Sequence, residues 1–312
     1  MSGSVIPSPK SGPVVPLLVA IGLLVGGNFA LGKYLVLQGA SPLLVFELQV
    51  LGAALLLGIA LIFKAPVFLS PLSKRQVIAY CIINGMIGIS APQILGFFAL
   101  QEVPTGLFTM VVTLSPLLTF LISSLTTGRI LPLARLGGIL LGLVGVSIAT
   151  ARGALDGDFG IMWLAAACAV PCFLAASNVY RDRAMPQGVD PLSLAAGTLI
   201  SQAVLFLPIT FVSGSGVSLA WTSAVVLSLI ALGSVTALSY MLTFELFRRA
   251  DSVTVSQVGY FATLAGFGAG ALFFDEPITV GFLIAAALLF LGMAMTNGHF
   301  SSALSRVGRN QP

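Results

Sequence analysis

"TFELFRRADSVTVSQ", residues 243–257, gathers Glu245, Arg248, Arg249 and Asp251 between two long apolar runs, in a chain of which only 8% is Asp, Glu, Lys or Arg. It has a counterpart in "FFALQEVPTGLFTMV", residues 97–111, which joins two apolar runs in the same way but holds no basic residue. The two joints stand 146 residues apart, and at that offset Phe98 meets Phe244, Leu100 meets Leu246, Leu118 meets Leu264 and Thr150 meets Thr296. Lys and Arg are retained on the cytoplasmic side of a membrane, so equivalent joints of opposite charge bias imply two related halves of opposite orientation.

Composition supports a membrane reading. The chain is 57% apolar with a mean hydropathy of +1.07, whereas a soluble domain carries about 25% charged residues. Apolar runs at about 14–37, 43–63, 76–98, 105–125, 133–150, 160–180, 191–212, 222–247, 253–273 and 278–298 are each long enough to span a bilayer as a helix. Stretches such as "LLTFLISSL" are apolar all round and lack the alternation of a barrel strand. The expected fold is therefore an all-α integral membrane protein of ten transmembrane helices, arranged as two inverted five-helix repeats over 14–150 and 160–298. Residues 151–159 form the connecting loop. The Pro- and Ser-rich stretch 1–13 reads as a disordered cytoplasmic tail, 299–312 as a second tail, and without a small-residue cleavage site the first run is expected to stay in the mature chain.

With the N-terminus inside, the cytoplasmic segments hold Lys10, Lys64, Lys74, Arg75, Arg129, Arg135, Arg181, Arg183, Arg248, Arg249, Arg306 and Arg309. Only Lys33 and Arg152 fall outside, so both termini are expected in the cytoplasm. The basic pI of about 9.2 then reflects topology, since the charges are scattered and form no nucleic-acid surface.

Polar groups at membrane depth are costly and face a cavity or a partner. Thr105, Thr109, Thr113 and Pro116 share one face of the fourth run; Gln257 and Tyr260 share a stripe of the ninth, flanked by Ser256 and Thr263. Trp163, Pro171 and Asn178 lie along the sixth, Asn84, Pro92 and Gln93 in the third, Asn28 in the first, and Ser239 and Tyr240 in the eighth. Candidate cavity residues are thus Asn28, Asn84, Gln93, Thr109, Thr113, Trp163, Asn178, Tyr240, Gln257 and Tyr260. Each has a structural alternative: hydroxyls back-bond to their own turn or glue helices, and Trp163, like Trp221, suits an interfacial belt. Pro92, Pro116 and Pro171 are hinge candidates or simple kinks. "GILLG" (138–142) and "GFGAG" (266–270) have the spacing of close helix packing.

Glu47 and Glu245 are the carboxylates inside apolar runs, each near a run's end, and either couple transport to protons or sit at the interface. The cavity is expected to be apolar and aromatic with hydroxyl and amide groups, and without a buried charge pair. Cys81, Cys168 and Cys172 read as apolar packers, and the single histidine, His299, as a surface residue. No nucleotide-binding loop, catalytic triad or metal-ligand motif is present in the sequence, so no cofactor, metal or enzymatic activity is expected, nor an obligate protein partner.

Three stretches carry a resemblance to a known family: "GGNFALGKYLV" (26–36), a small-Asn-aromatic stretch followed by Lys; "ELFRRADSVTVS" (245–256); and "FFDEPITVGFLIAAALLFLGM" (273–293), an acidic turn before a Gly-bearing last helix. The chain resembles the ten-helix transporters of the drug/metabolite transporter superfamily, of the EamA type, and within it looks most similar to bacterial exporters of amino acids, including aromatic ones. Many relatives have Arg after a Pro in the second run, where this chain reads "SPLLVFELQV" with Glu47 and Gln49. The resemblance implies a multi-pass secondary transporter of the bacterial inner membrane, exporting small neutral or zwitterionic solutes, with amino acids foremost and drugs or other metabolites as the alternative. A channel reading has no filter segment or charged pore row behind it.

Overall fold

The computed structural model describes residues 14–63, 73–127, 137–138, 140–145, 148, 160–213, 219–277 and 280–296. The expected tails, the connecting loop 151–159, most of the run 133–150 and His299 lie outside them. All regular structure among the described residues is helical: α1 (Val14–Leu37), α2 (Pro42–Phe63), α3 (Lys74–Gly85), a π-turn (Met86–Ser90), α4 (Ala91–Ala99), α5 (Thr105–Val112), α6 (Leu114–Thr127), α7 (Ile161–Ala184), α8 (Pro191–Val212), α9 (Ser223–Phe247), α10 (Ser252–Ser256), α11 (Val258–Phe273) and α12 (Val280–Thr296). Short helical pieces also stand at 137–138 and 140–145. Seven helical stretches among the described residues are long and apolar enough to cross a membrane, counting 74–99 and 105–127 each as one.

Local chemistry sets the ends. Ser73 and Gln76 form a capping box at α3, Asp190 caps α8 ahead of Pro191, and Thr222 caps α9. The charged knot of 243–257 resolves in the same terms. Glu245 pairs with Arg248 and Arg249 at the end of α9, and Asp251 caps α10 by accepting from the Thr254 N–H at 3.1 Å.

Three long runs are broken at depth. Pro92 has no N–H to give to the Gly88 carbonyl and its ring crowds that oxygen, which accounts for the π-turn just before it. The freed carbonyl accepts from the Tyr240 hydroxyl at 3.0 Å. Pro116 acts likewise on Val112, and the chain breaks at Thr113 between α5 and α6. The ninth run breaks at Gln257 with no proline, at nearly the equivalent place of the other half. Pro171 does not break its helix, which runs unbroken from Ile161 to Ala184.

Packing exchanges when the halves are exchanged. Helix α1 packs on α9 and α11, and α7 packs on α4 and α6; α2 lies against α8, and α5 against α11, across the pseudo-symmetry. Glycines permit the closest approaches. A Cβ on Gly22 would lie 2.2 Å from Phe261 Cβ, and one on Gly26 would lie 2.6 Å from the Ala262 carbonyl oxygen, so α1 and α11 meet backbone to backbone. A Cβ on Gly292 of α12 would come within 2.4 Å of the Gly138 carbonyl, so "GILLG" serves close packing.

Candidate functional site

The two ends of the bundle differ. At one end the start of α1 packs through Leu18 and Ile21 on Leu246, Phe247 and Val255, and Ser252 Oγ donates to Asp182 Oδ2 at 2.9 Å, gathering the ends of α7 and α9 with the start of α10. At the other end Lys33 Nζ lies 2.7 Å from Glu276 Oε1, and Glu276 also accepts from the Thr105 N–H at 2.6 Å and the Gly106 N–H at 2.8 Å. A carboxylate on the first N–H groups of α5 suits that helix's positive end. Asp275 takes a left-handed conformation, φ 51°, which turns the chain immediately before Glu276; Asp tolerates that region better than most residues. Aromatic pairs fill the same end, Phe29 edge-on to Phe108 at 4.9 Å and Phe98 stacked on Trp163 at 4.1 Å.

Between the ends lies a cavity of about 110 Å³, walled by both halves and sitting over the helix breaks: Val112 and Ser115 on one side, Ser256 and Gly259 on the other. It extends from Asn28, Phe29, Gly88 and Gln93 towards Arg181, Thr243 and Val255, away from the Lys33 end. Asn28, Pro92, Gln93, Asn178 and Tyr240 therefore line one space.

The other candidates do not line it. Thr109 Oγ1 donates to its own turn at Thr105 O, 3.0 Å, and Thr113 joins Thr263 across the α5–α11 seam. Trp163 sits with Phe98 at the Lys33 end, Tyr260 meets Phe290 edge-on at 6.2 Å, and Gln257 holds the break before α11. Asn84 stands one step behind the wall: it accepts from Arg181 Nε at 2.7 Å. Glu245 is engaged with its arginines, whereas Glu47 is only 2% exposed and neither of its carboxyl oxygens has a partner among the described residues. Glu47 is thus enclosed by protein, despite its place near the start of α2.

One expectation is corrected. Arg181 is not a cytoplasmic loop charge: α7 continues past the predicted end at 180, and Arg181 in its last turn is 5% exposed and faces the cavity. The place of Arg181 was findable, since it follows Leu174 and Asn178 at helical spacing on one stripe. The part-buried charge pair of Lys33 with Glu276 lies away from the cavity.

The model of the EamA-like transporter family matches residues 13–151 and 159–298, one copy for each half. The chain belongs to the EamA-like transporter family. As an EamA-like chain it is 24% identical over 282 residues to "Uncharacterized transporter YvbV" of Bacillus subtilis (strain 168), covering 90% of each chain. A solved structure titled only as a crystal structure of a protein shares the fold, with a TM-score of 0.60 at 20% identity, covering 88% of this chain and 96% of that one. The EamA-like assignment makes the protein a multi-pass membrane transporter.

Proposed function

We propose that this protein carries small amphipathic solutes, foremost amino acids, out across the bacterial inner membrane by alternating access. In this reading ten helices form two inverted repeats of five, both termini are cytoplasmic, and Pro92 and Pro116 mark the hinges. The observation that carries it is a cavity walled by both halves over their helix breaks, with an end beyond it held by Lys33, Glu276 and two aromatic pairs. The loop charges support taking the cavity's end as the inward one. Substrate entry would then loosen the Lys33 end as the Arg181 end closes.

The cavity wall supports an amphipathic solute, since Ile21, Val25, Phe29 and Leu174 offer apolar surface and Asn28, Gln93, Asn178 and Tyr240 offer polar groups. Glu47, buried and without a partner, is proposed as the coupling group. The test is uptake of a labelled amino-acid panel into proteoliposomes holding only this protein, with and without a proton gradient. Saturable uptake competed by a few neutral amino acids supports the reading. Transport of lipophilic drugs with no amino-acid competition replaces the substrate class, and unsaturable ion conductance makes the protein a channel.

A further inference from the structure

We propose that Arg181 is the carboxylate-recognition residue of the cavity, and that the solute is therefore a small amphipathic acid whose carboxylate docks on this guanidinium. The inference rests on the carrier reading above and names the chemistry its site selects.

Arg181 is 5% exposed, lines the cavity and has an Nη2 atom with no hydrogen-bond partner among the described residues. No carboxylate pairs with it among the described residues. The carboxylates that lie within 4.0 Å of a cation among the described residues are Glu276 with Lys33 and Glu245 with Arg248 and Arg249; Asp182, its chain neighbour, instead accepts from Ser252 Oγ at 2.9 Å. A guanidinium kept from water without a counterion is costly, and removing one partner of a buried pair leaves just such a group. The arrangement is that of a pair whose other member arrives with the solute.

The guanidinium is also held in place. Asn84 Oδ1 accepts from Nε at 2.7 Å, which fixes the plane, while Nη2, buried beside Gly88 of the cavity wall, has no hydrogen-bond partner among the described residues. The rings of Tyr240, Phe244 and Phe247 stand 5.7 to 5.9 Å from Cζ, and their negative faces support the cation while the site is empty. Position in the last turn of α7 adds the helix's negative end. A planar fork oriented in this way matches a carboxylate by two parallel N–H···O bonds.

A second unfilled group stands in the same wall. Gln93 Oε1 is buried without a partner and can accept an N–H from the solute. The Tyr240 hydroxyl is flanked by the Gln93 amide and the Arg181 guanidinium. An α-amino acid supplies both complements, and its side chain would lie on Ile21, Val25 and Leu174. A lipophilic amine has no anion for Arg181 and would leave two cations together, so cationic drugs are selected against.

The test uses the full chain, purified in detergent and in proteoliposomes, with matched ligands: phenylalanine, phenylalaninamide and phenethylamine, the leucine series, and benzoate with benzamide. Thermal shift and competition for uptake are read for each. At least one acid is expected to stabilise the protein and compete about tenfold or more better than its amide or amine, the scale of losing one charged hydrogen bond. In Arg181→Gln the acid should fall to the level of its amide, mainly through a raised KM, and Arg181→Lys should recover part of the preference. A purely structural role would lower transport of all solutes alike and leave the acid-to-amide ratio unchanged, which overturns the inference. So does an equal effect of acid and amide in the unmodified protein, or no thermal shift from any acid of the set. If acids shift the melting selectively while no solute is taken up, the carrier reading falls and the Arg181 site stands. If amides and amines are carried as well as acids, the carrier reading stands and the Arg181 site falls.

Discussion

Lys33 and Glu276 form a part-buried ion pair, 2.7 Å from Nζ to Oε1, at the bundle end opposite Arg181, and Glu276 holds the first N–H groups of α5 with the same carboxylate. Three pieces of chain meet there: α1, the start of α5 and the turn before α12. Removing either partner leaves the other without its counter-charge in a part-buried site, at a cost of about 1–3 kcal/mol. Lys33→Gln and Glu276→Gln should each lower the melting temperature in detergent, Glu276→Gln by more because it also uncaps α5. The double variant should cost less than the two single changes together; strict additivity would show that the pair is not coupled.

Acid should act through the same residue. Burial pushes the Glu276 carboxyl up, but the Gly106 N–H, the Lys33 ammonium and the Thr105 N–H outweigh it and hold the group below its usual value near 4.5. A carboxylate depressed in the folded state contributes stability above the unfolded value and loses it as pH falls through the folded one. Melting should therefore be insensitive to Glu276 near neutrality and decline on acidification below pH 4.5. The decline should be shallower in Glu276→Gln; parallel curves for the two proteins would refute the assignment.

Adjacent glycines of α1 should respond in opposite ways. A Cβ at Gly26 would meet the Ala262 carbonyl at 2.6 Å, whereas one at Gly27 would meet nothing within 4 Å. Gly26→Ala should destabilise the protein by about 1–3 kcal/mol through overpacking. Gly27→Ala should be neutral or stabilising by about 0.5–1 kcal/mol, since Gly is the poorer helix former. Chemical denaturation or melting of the two variants side by side decides this.

Glu47→Gln and Glu245→Gln separate coupling from structure. Glu47 is buried and has no partner at either oxygen, so its amide should fold and melt like the parent chain, while uptake no longer responds to an imposed proton gradient. Glu245 is committed to Arg248 and Arg249, and its amide should keep the gradient response. A normal response in Glu47→Gln removes it as the coupling residue.

Asn84 should act only through Arg181. Its Oδ1 accepts from Nε at 2.7 Å, a charge-assisted bond of about 1.5–3 kcal/mol, yet Asn84 does not line the cavity. Asn84→Ala should raise KM for a carried acid about tenfold or more with little change in the maximal rate, and should have no effect in an Arg181→Gln background. An undiminished effect there would mean that Asn84 works by another route.

The outline of the bundle was legible because apolar runs end at Pro, Gly and charged residues: the runs expected at 14–37, 43–63, 191–212 and 222–247 are α1, α2, α8 and α9 to within a residue. Pro92 and Pro116 marked two of the breaks, but the one at Gln257 was not legible, since no hydropathy pattern marks where a helix in lipid changes its hydrogen bonding and Gln257 has no proline to announce it. Arg181 was assigned to a loop because counting charges treats every arginine beyond an apolar run as solvated, although its spacing from Asn178 places it on the same stripe. Thr109 and Thr113 looked like a polar lining because periodicity gives a face but not what the face meets, which here is α11. Lys33 and Glu276 are 243 residues apart, and only the folded arrangement brings them together.

The interruptions at Thr113 and Gln257 also bear on speed. Bending an intact helix inside a bilayer means giving up backbone hydrogen bonds where no water can replace them, and that loss would stand in the activation barrier of any rearrangement. In these two runs the ladder is already interrupted next to the cavity, with Thr113 and Gln257 bonded back to their own preceding turns. The cost was met once, during folding, and need not be met again at each turnover.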